Sequence, residues 1–200
     1  MKKILYFFVL GLSIFVQNSA YAHTGHQLSY SVLSGFLHPF NGIDHILVML
    51  AIGLWSTQLS TRTIWIFPLT FVFFVLIGGI LGQYLSVTGI SFSFHEIIII
   101  LSVIVTGLII ARFIILPQTI SLGLITLFGL AHGLAHGIET PNDHSFYLYG
   151  LGFITATILL HLAGILLGYF IHHYKFYRLY RISGLITTVI GLNLLVTYSL

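Results

Sequence analysis

The residues best equipped for chemistry lie in "HPFNGIDHILVM", residues 38–49, where His38, Asp44, His45 and Met49 surround the start of an apolar run. At helical spacing Met49 stands one turn beyond His45 on the same face. Neutral imidazole with carboxylate is a ligand set suited to borderline divalent ions such as nickel, cobalt, zinc and copper. Asn41 followed three residues later by Asp44 is also a capping arrangement, favourable at the positive end of a helix. Capping accounts for the aspartate but not for the histidines.

The stretch "GLAHGLAHGIE" adds His132, His136 and Glu139 at spacings of four and three. They fall within an arc of about 60° and rise about 10 Å along one helical face. Two histidines a turn apart can share a metal, and a stripe can pass one along. "SFSFHEI" offers His95 and Glu96, although Ser93 with Glu96 also reads as a capping box. His161 lies deep in its apolar run, with Thr157 one turn above it and Gly164 and Gly168 on a similar face. It can hand an ion or a proton inward, or bond a neighbouring helix. In "HTGH", cleavage after Ala22 would leave a free amine and an imidazole on His23, a chelate to which His26 adds a nitrogen. A polar terminus with no metal role is the alternative there. Asp143 and His144 stand nearby in "ETPNDHS", where Pro141 and Asn142 mark a turn.

The elements that carry these groups are written in the composition. The 200 residues are 58% hydrophobic and 6% charged, with a mean hydropathy of +1.06. Soluble domains are about a quarter charged, so the fold class expected is an all-α integral membrane protein. Lys2 and Lys3, the apolar run Ile4 to Val16 and the small-x-small site Ala20-Tyr21-Ala22 make residues 1–22 a cleaved signal peptide. An uncleaved first helix is the other reading, but the run is short for a span. Residues 23–200 then form a single transmembrane helical domain with its N-terminus outside. Six helices are expected at roughly 42–58, 63–86, 94–115, 118–138, 145–171 and 179–198. A short leading helix over 27–37 is expected to end at Pro39.

Loops near 59–62, 112–117 and 172–181 then fall inside and hold Arg62, Arg112, Lys175, Arg178 and Arg181. Asp44, Glu96, Glu139 and Asp143 fall at outer ends. The positive-inside rule supports this orientation in a cell inner membrane. Five basic residues against four acidic ones leave the mature chain at only +1, which implies no nucleic-acid partner. With no cysteine there is no thiolate site, and Met49 is the one soft donor after the signal segment. Glycines four apart, Gly129, Gly133 and Gly137 in one helix and Gly164 and Gly168 in the next, allow helices to pack closely. An ionisable side chain at mid-bilayer costs about 2.5–3.5 kcal/mol on insertion scales, so the buried histidines mark a pathway or a site.

These stretches resemble the HupE/UreJ family, small membrane proteins associated with hydrogenase and urease maturation and regarded as nickel permeases. "HPFNGIDHILVMLAIGLW" fits the pattern His-Pro-x-x-Gly-x-Asp-His with a methionine four residues later, and "AHTGH", "HGLAHGIE" and "LLHLAG" are similar to family features. The resemblance covers the mature chain in outline. It implies metal handling by His38, Asp44 and His45, with His132, His136 and Glu139 in support, and hydrogenase or urease maturation proteins as partners. A larger nickel/cobalt transporter family uses a related His-x4-Asp-His element. Here five residues separate His38 from Asp44, which argues against membership of that family.

No GxxxxGK[ST] loop occurs, so uptake would be passive or ion-coupled. The expectation is a permease rather than an enzyme, with no permanent cofactor. It would carry a divalent transition metal, Ni²⁺ first and Co²⁺, Cu²⁺ or Zn²⁺ after it, from outside to the cytoplasm. An intramembrane zinc hydrolase is an alternative, though no HExxH is present and no general base stands out. A haem carrier would need histidines facing each other across the bundle. A metal-binding sensor or accessory protein that does not transport is the third alternative.

Overall fold

The structure is a computed structural model that describes residues 31–59, 63–88, 95–140 and 145–199. The proposed signal segment, His23, His26, Arg62, Ser93, Asp143 and His144 lie outside the described residues. Seven helices follow in order: α1 (Val32–Asn41), α2 (Ile43–Leu59), α3 (Thr63–Thr88), α4 (His95–Arg112), α5 (Gln118–Glu139), α6 (Ser145–His173) and α7 (Arg178–Ser199). The described residues contain no strand. A helix satisfies its backbone polar groups internally, which is what hydrocarbon requires of a spanning segment.

Helices α3 to α7 are each long and apolar enough to cross a bilayer. Helix α2, at 17 residues, rises only about 25 Å against a hydrocarbon core of about 30 Å. It is bent by 86° from α1, and the pair has the length and apolarity of a broken span or a re-entrant loop. The chain is thus a multi-pass membrane protein, with five to six candidate spans among the described residues. The helix limits fall within about three residues of those expected from the apolar runs, at both ends of every span.

Helix α1 departs from expectation. Ser31 and Ser34 cap its start reciprocally, with Ser34 N–H donating to Ser31 Oγ at 3.2 Å and Ser31 N–H to Ser34 Oγ at 2.8 Å. The helix then runs through Pro39 to Asn41 instead of ending ahead of the proline. Pro39 removes one bond in the last turn, and the chain breaks instead at Gly42, which is extended (φ −108°, ψ 119°). A Cβ at Gly42 would lie 2.7 Å from Asp44 Oδ1 and 3.0 Å from His45 Nδ1, so the side chains that follow occupy the space.

Packing around α2 fixes the rest. Ala51 to Ser56 are six consecutive buried residues, which at 100° per residue bury α2 on every side. Its neighbours are α6, α4, α3, α1 and, over a smaller contact, α7. The glycines of α5 lie against α3: Gly129 on Phe71, Gly133 on Val75, Gly137 on Gly79. Gly164 of α6 lies against α2 at Leu50 and Gly53, and Gly168 meets Thr57. These are the close approaches that the four-residue spacing allows.

One end of the bundle is tied by contacts among α2, α4, α6 and α7. His172 Nε2–H donates to the Thr57 carbonyl at 3.1 Å, and Gln58 Nε2–H to the Ile110 carbonyl at 3.2 Å. Arg181 lies 5.8 Å from the Phe113 ring centre. This is the basic end, and the His38, His45 and His136 cluster lies at the other.

Candidate metal centre

Three helix ends meet at this second end. The last turn of α1 supplies His38, the first turn of α2 supplies Asp44 and His45, and the last turns of α5 supply His132 and His136. The bend at Gly42 turns α1 back so that the His38 ring stands edge-on to His136 (centroids 4.6 Å) and to His45 (5.6 Å). One nitrogen from each of His38, His45 and His136 lies within 4.8 Å of the other two. Imidazoles ligating one ion at about 2.1 Å can be at most about 4.2 Å apart, so the widest pair closes slightly on binding.

Asp44 stands behind His45. Its Oδ1 accepts from His45 Nδ1–H at 2.8 Å and from the His45 backbone N–H at 2.9 Å. The backbone bond satisfies a first-turn donor, but the expected capping pair of Asn41 and Asp44 is not formed, because Asn41 ends α1 and α2 starts at Ile43. The side-chain bond sets the tautomer: with Nδ1 protonated, Nε2 of a neutral His45 presents a lone pair. That nitrogen is 2.8 Å from His136 Nε2, so with both rings neutral the shared proton sits on His136. A metal ion arriving between the rings would take the place of that proton. His136 would then carry its hydrogen on Nδ1, the atom 4.0 Å from Glu139 Oε2.

The other expected residues divide by depth. His132 Nδ1–H donates to the Phe128 carbonyl at 2.8 Å, and its ring lies 5.4 Å from that of His45. It extends the group inward by one turn. His161 is buried deeper, its Nδ1–H donating to the Thr157 carbonyl at 2.7 Å. His95 and Glu96 start α4 as a local pair, Nε2 to Oε1 at 3.5 Å, and are not part of the three-histidine group. Glu139 is about a third exposed at the rim. Met49 is fully buried in the apolar core.

The walls of the site carry residues that sequence reasoning missed. Tyr149 and Phe153 of α6 flank His38 at 5.7 and 6.0 Å between ring centres, and Phe153 also lies 4.5 Å from His136. Phe71 of α3 touches both His132 (5.3 Å) and His161 (5.2 Å). An aromatic residue in a uniformly apolar helix gives no sign of whether it meets lipid, core or a site. Only the long-range pairing of α1, α5 and α6 distinguishes them.

The chain is 38% identical over 146 residues to "Protein HupE" of Rhizobium leguminosarum bv. viciae, covering 73% of this chain and 74% of that one. No solved structure matches it significantly. The sequence profile described as HupE / UreJ protein matches residues 10–194, and the chain therefore belongs to the HupE / UreJ family.

Proposed function

We propose that the protein is a permease for a divalent transition-metal ion, Ni²⁺ foremost, passing it from outside to the cytoplasm. The single observation that carries this reading is the convergence of His38, His45 and His136 from three helices, with Asp44 holding His45 in the ligating tautomer. Three imidazoles and a carboxylate behind them suit nickel, cobalt, copper or zinc. The ion is cargo, bound by His38, His45 and His136 and released inward. Asp44 supplies a negative charge that offsets part of the charge of the ion. Placing Arg112, Lys175, Arg178 and Arg181 on the cytoplasmic side of an inner membrane sets the three-histidine end outside. The family resemblance adds hydrogenase or urease maturation proteins as receivers.

The test is elemental analysis of washed cells expressing the wild type or His45→Ala, supplied with trace nickel, cobalt, copper and zinc together. One metal should rise with the wild type alone. Membrane-inserted wild type that raises no metal would sink the transport reading and favour a sensor or accessory protein that binds without passage.

A further inference from the structure

We propose that His161 is a second metal ligand, a deeper station at which a divalent ion pauses after leaving the three-histidine group. The proposal rests on the permease reading for its purpose and on the geometry of α6 for its substance.

A histidine retained in mid-membrane for packing alone is expected to hydrogen-bond a neighbouring helix and so hold two elements together. His161 does something else. It is 1% exposed, and its one hydrogen bond among the described residues is local, from Nδ1–H to the Thr157 carbonyl one turn back on α6. Its Nε2 is buried and has no hydrogen-bond partner among the described residues. A buried polar atom left unsatisfied is a cost that leucine at this position would avoid. The bond that is made has a known consequence: Nδ1–H held by a backbone carbonyl forces the lone pair onto Nε2, and it is how metal-ligating histidines are oriented.

His132 repeats the device. Its Nδ1–H donates to the carbonyl four residues back, Phe128, and its Nε2 is likewise buried with no partner among the described residues. The two imidazoles lie against the same phenyl ring, that of Phe71. His132 in turn adjoins His45 of the outer group. The rings therefore form a continuous inward series, His45 to His132 to Phe71 to His161, in which both deep histidines are set as neutral nitrogen donors. The ligand class follows from the donor: a borderline divalent cation that accepts imidazole nitrogen.

Titration of the purified full-length protein in detergent with Ni²⁺, followed by calorimetry, reads the two stations separately, and Ni²⁺ uptake by cells reads their use. Wild type should bind one equivalent tightly and a second more weakly. His161→Ala should keep the first, lose the second, and slow uptake about tenfold, a ratio that a modest rise in one barrier produces. His45→Ala should instead weaken the first equivalent. A wild type with one equivalent only, or a His161→Ala protein that keeps two and takes up Ni²⁺ at the wild-type rate, would overturn the proposal. Should His161→Ala not fold, His161→Gln is read by the same criteria, and failure of both to fold would make His161 a structural residue and end the proposal. If the wild type binds two equivalents but cells accumulate no Ni²⁺, the permease reading fails while His161 stands as a ligand.

Discussion

Asp44 governs the candidate centre without belonging to the trio of converging nitrogens. Its carboxylate fixes the His45 tautomer and adds negative charge behind the ring, so its effect on an ion should travel through His45. Asp44→Asn should weaken metal binding by about 10- to 100-fold, the usual effect of removing such a partner. In a His45→Ala background the same substitution should add little, because residues acting through one another are not additive. Binding titrations on the four proteins of the cycle decide it: additive losses would make Asp44 a direct ligand. Glu139→Gln should cost less than Asp44→Asn, since Glu139 is partly exposed and 4.0 Å from His136. The sequence marked all of these residues, because charged and imidazole groups stand out in an apolar chain. What it could not give was the order of contact, since Asp44 and His45 are adjacent in sequence and helical periodicity does not say which of two neighbours faces inward.

The bent pair of α1 and α2 is what brings His38 to the others, and its position depends on backbone contact with α6. A Cβ on Gly35 would collide with the Tyr149 carbonyl, and one on Gly152 with the Val32 carbonyl. Backbone atoms cannot move aside as a side chain can, so Gly35→Ala should destabilise the protein by about 1–3 kcal/mol. It should also weaken metal binding by lifting His38 away from His136. Gly150→Ala, two residues from Gly152, is the control: nothing lies within 4 Å of a Cβ there, and the change should be neutral or stabilising by up to about 1 kcal/mol. Thermal unfolding in detergent with and without Ni²⁺ reads both effects. The helices α2 to α7 and their ends were legible because hydrocarbon selects length and apolarity so strongly. The interruption at Gly42 was not, since proline is the usual helix breaker and Pro39 drew the boundary to itself. Nor was the meeting of α1 with α6, which depends on glycines more than a hundred residues apart.

The direction of the proposed transport depends on which end of the whole bundle faces out. His172, Gln58 and Arg181 tie the basic ends of α2, α4, α6 and α7 together, and the three-histidine group lies at the opposite end. A cation meets the acidic and histidine-rich end first if that end is outside, and leaves past the arginines if the basic end is inside, as the positive-inside rule requires. The chain contains no cysteine, so single cysteines can be introduced without altering anything else. Thr88, exposed at the end of α3 on the histidine side, and Lys175, exposed between α6 and α7, are suitable positions. In intact cells a membrane-impermeant maleimide should label Thr88→Cys and spare Lys175→Cys, which should react only after the membrane is opened. The reverse pattern would put the histidine group in the cytoplasm. An ion held there by His38, His45 and His136 would be an ion already inside, and the same geometry would then serve export or cytoplasmic sensing in place of uptake.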